Sequence, residues 1–136
     1  MGGGLSPALD GVRLSLHVLA AAIWVGGQFT LAGLLGTARG LGEGAPKALA
    51  RGFARIQWPA YVVLVVTGFW NVSAVHADRP SSWQVVLGAK IAVVALAGLG
   101  AFLHSRAASR RGLAVWGAVS ALSSVAALVM GVFLAG

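Results

Sequence analysis

The chain has no cysteine. Disulfides, thiolate metal sites and thiol catalysis are therefore excluded. Charge is scarce as well: 10% of the 136 residues are charged, against about 25% in a typical soluble domain. Acids are the scarcest, three in all, and none lies inside a long apolar run, so no carboxylate pair is available for acid–base work. No glycine-rich loop leads into a basic residue, and no histidine is grouped with an acid and a nucleophile. Met130 is the only methionine besides the initiator, a poor supply for Cu(I), which favours sulfur ligands.

Apolar residues dominate instead, at 58% of the chain with a mean hydropathy of +0.87. A soluble fold of this length has too little interior to hide so much apolar surface. Residues 14–38, 57–77 and 112–136 carry no charge, and residues 83–105 carry one, Lys90. Each run exceeds the roughly 20 residues that cross about 30 Å of hydrocarbon as a helix. Lipid satisfies no backbone hydrogen bonds, which excludes open strands. The expected fold is all-α: an integral membrane four-helix bundle in a single domain over residues 1–136. Its helices are expected at about 13–38, 57–77, 83–105 and 112–135. The first run is not read as a signal peptide, because Asp10 offsets Arg13 ahead of it and its apolar stretch is too long. The 20 glycines suit close helix packing in lipid.

The net charge of +7 is a topology signal rather than a nucleic-acid footprint. Arg39, Lys47, Arg51 and Arg55 lie between the first two runs, and Arg106, Arg110 and Arg111 between the last two. The opposite ends hold only Arg13 and Arg79. The positive-inside rule then places both termini outside. Within residues 45–56, Leu49, Phe53 and Ile56 share one helical face and Lys47, Arg51 and Arg55 another. This segment reads either as a short amphipathic interfacial helix before helix two, with a kink at Pro59, or as an extension of helix two.

Polar side chains in hydrocarbon are costly and therefore informative. His17, Trp24 and Gln28 share a face of helix one, with Gly26 and Gly27 beside them. His17 reads as a metal or haem ligand, or as a histidine satisfied inside the bundle. Lys90 reads as an anion-holding ammonium, or as a side chain snorkelling to the head groups. Asn71 and Thr67 on helix two and Met130 on helix four fall at a similar depth to His17 and Lys90. His76, at the end of helix two, is a candidate second metal ligand beside His17 and Met130. His104 and the aromatics Trp58, Tyr61 and Trp83 fall at membrane faces, where aromatic rings anchor helices. Ser120, Ser123 and Ser124 with Gly117 read as a packing face.

The stretch HVLAAAIWVGG, holding His17, Trp24, Gly26 and Gly27, resembles the opening helix of CopD-like membrane proteins, the copper resistance D family. LVVTGFW, with Thr67 and Gly68, resembles that family's second helix, and WQVVLGAKIAVV, with Gly88 and Lys90, its third. A more distant similarity is to HemJ-type protoporphyrinogen oxidase, a four-helix protein with a histidine in helix one and a lysine in helix three. The first resemblance implies copper handling across the inner, cytoplasmic membrane of a bacterium. The second implies haem b held by a histidine, with redox chemistry on a porphyrin. His17 and Lys90 match the shared positions in both. The expected partners are the lipid bilayer and either a second copy of the chain or a larger membrane complex. A structural or accessory subunit without a site is the third reading.

Overall fold

The computed structural model describes residues 5–75 and 79–135. Helix α1, Leu5–Ala21, passes through one π-helical turn, Ala22–Gly26, into α2, Gly27–Gly40. Helices α3 (Ala45–Val75), α4 (Ser81–Arg106) and α5 (Arg110–Ala135) follow. All regular structure among the described residues is helical. Three helical stretches are long and apolar enough to cross a membrane: Ala8–Gly40, Ser81–Arg106 and Arg110–Leu134.

Most large apolar side chains are on the outside. Phe133, Leu122, Val85 and Phe69 are 73%, 71%, 71% and 64% exposed. Apart from Trp24, Leu87 and Arg13, the buried residues are small: Ala20, Ala38, Ala60, Ala97 and Ala127, with Thr67, Ser120, Ser123 and Ser124. This inverts the soluble pattern. Water would penalise such a surface heavily, whereas lipid does not, and small residues at the contacts let helix backbones approach. The arrangement is that of a membrane protein.

The chain forms two units, Met1–Ala77 and Asp78–Gly136. In the first, α1 and α2 form one rod that returns along α3. The reversal is tight. The Leu41 N–H donates to the Ala38 carbonyl, and Gly42 has φ of +138°, a backbone region that favours glycine. Pro46 then sits in the first turn of α3, where its missing N–H costs nothing.

Two expectations about boundaries change. Helix one begins by Leu5 rather than near residue 13. Asp10 and Arg13 are part of it and pair within it, one helical turn apart, at 3.1 Å. The amphipathic segment 45–56 is helical, but it runs without a break into α3, so no separate helix precedes helix two. It packs along α2, with Leu49 and Phe53 facing Gly27, Leu31 and Leu34 across an apolar groove. Phe53 occupies the space a Cβ at position 27 would need. Lys47, Arg51 and Arg55 on its other face are exposed. Pro59 lies inside α3; its ring removes one hydrogen bond to the preceding turn.

The second unit is a hairpin of α4 and α5 closed by small side chains. Ser120 Oγ donates to the Ala97 carbonyl at 3.0 Å. A Cβ on Gly100 would stand 2.9 Å from the Ser120 backbone nitrogen. Ser109 caps α5, its Oγ accepting from the Gly112 N–H at 3.0 Å. His104 packs on Gly117, and its Nδ1 lies 2.8 Å from the Leu113 carbonyl. A carbonyl only accepts, so His104 donates. At the hairpin's other end, Trp83 Nε1 donates to the Leu134 carbonyl at 3.0 Å, and the Arg79 guanidinium lies 5.4 Å from the Trp83 ring centre. Trp83 is therefore a tie between α4 and α5 as well as an aromatic near a helix end.

Candidate functional site

The first unit carries the site. His17 and Thr67 face each other across the antiparallel pair α1 and α3, with Nδ1 2.8 Å from Oγ1. Thr67 Oγ1 also lies 2.7 Å from the Val63 carbonyl and 3.2 Å from that of Leu64. A hydroxyl has one proton, and a carbonyl cannot supply another. The Thr67 hydroxyl therefore donates to its own helix and accepts from His17. That fixes the protonated nitrogen of the neutral ring as Nδ1 and leaves the lone pair on Nε2. Gly68 adjoins the same ring: its missing side chain would sit 3.6 Å from His17 Cε1. Thr67 is 3% exposed, so this relay is shielded from water.

One turn outward from that pair, towards Leu5 and Val75, the two helices bring Arg13 and Asn71 level with each other. The antiparallel register of His17 with Thr67 dictates this, since both partners step by four residues. Arg13 is 7% exposed. Its Nη2 meets Asp10, which is half exposed. Arg13 Nε and Asn71 Oδ1 are buried and have no hydrogen-bond partner.

Inward from His17 lies an aromatic cluster. Trp24, inside the π-helical turn, is 1% exposed. Its ring centre is 4.6 Å from Tyr61 and 5.6 Å from Trp58, and the latter two are 5.8 Å apart. Trp58 and Tyr61, expected as anchors at the membrane face, pack around Trp24. The end of the turn is held by Thr30, whose Oγ1 donates to the Gly26 carbonyl at 2.8 Å. Gln28 continues this side of the rod, half-buried.

Lys90 belongs to the second unit, where its Nζ lies over Gly131, 3.1 Å from where a Cβ would be. Met130, the neighbour of Gly131, is half-buried on α5. His76 lies outside the described residues. No three His, Cys, Asp or Glu side chains converge among the described residues. Sequence reasoning overlooked Arg13, which it counted as a flanking charge. The available signal was its spacing: Arg13 and His17 are four residues apart and must share a face once the helix extends past both. Compared with protein-family models, curated proteins and solved structures, the chain matches none.

Proposed function

We propose that this chain is a CopD-like protein of the cytoplasmic membrane, crossing it four times with both termini outside, and that His17 is the protein ligand of a haem-type cofactor. The observation that carries this reading is the relay from His17 Nδ1 through Thr67 Oγ1 to the Val63 carbonyl. Ligating histidines characteristically donate their second ring nitrogen to a fixed acceptor, which sets the tautomer and raises the basicity of the ligating nitrogen. Here Nε2 is the nitrogen so prepared. Haem supplies its own equatorial donors and needs one imidazole from the protein. Copper draws all its donors from the protein, and among this unit's described residues His17 is the only histidine, with no cysteine or methionine beside it. The donor set therefore favours haem over a bare copper ion. The residues fit that group: one imidazole of fixed tautomer, a glycine against its ring, and aromatic side chains one layer inward. Bound there, haem would supply one-electron redox chemistry. Thr67 would orient the imidazole, and the Trp24 cluster would exclude water.

The test is a visible spectrum of the detergent-purified protein, reconstituted with haem b and assayed for metals. A Soret band is expected that His17→Ala abolishes. Thr67→Val keeps the shape of the side chain but removes the acceptor, so haem affinity should fall by about 10-fold or more, as with other losses of a ligand's orienting partner. Thr67→Ser should restore most of it. Bound copper with no Soret band would shift the reading to copper. An unchanged spectrum in His17→Ala would end it.

A further inference from the structure

The guanidinium of Arg13 is nine-tenths buried, and its Nη2 meets Asp10. Its Asp10 partner is half exposed and shared with solvent. The buried Nε–H has no acceptor. Level with it on α3, Asn71 Oδ1 is buried and has no donor. A buried guanidinium with an unused N–H is costly, because that donor has lost its water and gained nothing. Two such atoms at one level of one helix pair mark a place where a ligand completes the protein's hydrogen bonding.

The chemistry of that ligand follows from the donors. Arg presents its N–H groups in a planar fork that matches a carboxylate. The amide oxygen and nitrogen of Asn71 exchange places by a half-turn of the side chain. That turn replaces the buried acceptor with an N–H aimed at the same space. Leu9, Val12, Leu14 and Leu16, at nearby positions of α1, are exposed, so the rest of the ligand has an apolar surface at hand.

We propose that Arg13 and Asn71 form a carboxylate-binding site at the outer end of the first unit, and that it takes the carboxylate of an amphiphile entering from the membrane. A tetrapyrrole side chain and a fatty acid both offer that group. The site does not depend on His17 holding a metal.

Metal-free protoporphyrin IX and its dimethyl ester, titrated into the detergent-purified full chain by quenching of tryptophan fluorescence, separate the carboxylate from the ring. Labelled palmitate and methyl palmitate form the second arm. In at least one arm the acid should bind about 10-fold more tightly than its ester, the size of one charge-assisted contact. The porphyrin arm identifies a tetrapyrrole and the palmitate arm a fatty acid. Arg13→Gln should bring acid and ester within about 2-fold of each other. His17→Ala should keep the preference, because no iron is present. The acid–ester comparison on the unaltered chain stands even where Arg13→Gln folds poorly. Equal binding of acid and ester in both arms, or a preference that survives Arg13→Gln, overturns the site.

Discussion

Replacing Trp24 with alanine is expected to lower the unfolding free energy by about 3 kcal/mol. Trp24 is the largest fully buried side chain among the described residues, and Trp58 and Tyr61 pack on its ring. In water most of such a loss would come from apolar transfer. In lipid that part is small, because the exterior is as apolar as the interior. What remains is the loss of dispersion contacts and an unfilled cavity beside a π-helical turn. Trp24→Phe retains a ring and should cost about 1 kcal/mol. Equilibrium unfolding in mixed micelles, followed by far-UV circular dichroism, measures both. A Trp24→Ala cost below about 1 kcal/mol would mean that the aromatic cluster collapses around the gap and does little to hold α1 against α3.

Leucine at position 100 should damage the second unit by a comparable amount. Even a methyl group there would meet the Ser120 backbone nitrogen at 2.9 Å and Val119 at 3.1 Å. Backbone cannot rotate away as a side chain can, so α5 must move off α4. That movement also breaks the bond from Ser120 to the Ala97 carbonyl. Overpacking of this kind costs about 1–3 kcal/mol, and the lost hydrogen bond places Gly100→Leu at the upper end. Gly88 provides the control. It lies on the same helix, and nothing stands within 4 Å of the Cβ it lacks. Gly88→Leu should leave the mixed-micelle unfolding midpoint unchanged, and equal effects at the two positions would refute the packing argument.

The helices were legible because lipid imposes a crude rule: an uncharged run long enough to span must be helical. Runs 83–105 and 112–136 correspond closely to α4 and α5, whereas run 57–77 covers only the later part of α3, which begins at Ala45. The first boundary differs from the expected one because a charge does not mark where a helix starts, the assumption behind that expectation. A charge marks water or a partner, and Asp10 with Arg13 found each other inside the helix. The same assumption made 45–56 look separable from α3, although amphipathicity sets which face is buried and not where a helix ends. Within the site, His17 and Trp24 were legible as costly side chains on one face. Their partners were not, because composition carries no information on helix rotation. Thr67, Trp58 and Tyr61 became neighbours of these residues only through the register of α1 against α3. Arg13 differs: its spacing from His17 is legible, but a charge ahead of an apolar run reads as a flank, whereas Arg13 lies inside α1.

The π-helical turn at Ala22–Gly26 amounts to one residue more than a regular helix would use over that length. Removing one residue there would let the rod close into uninterrupted α-helix. It would also swing everything before the turn by about 100° relative to everything after it, since an α-helix has 3.6 residues per turn. Arg13 and His17 would then point away from Asn71 and Thr67 while Gly27 kept its place against Phe53. The turn thus acts as a phase adjuster. It lets one continuous rod keep two separate appointments with α3, an aromatic and aliphatic one near the loop and a polar one near the free end. A single-codon deletion would cancel the second and spare the first.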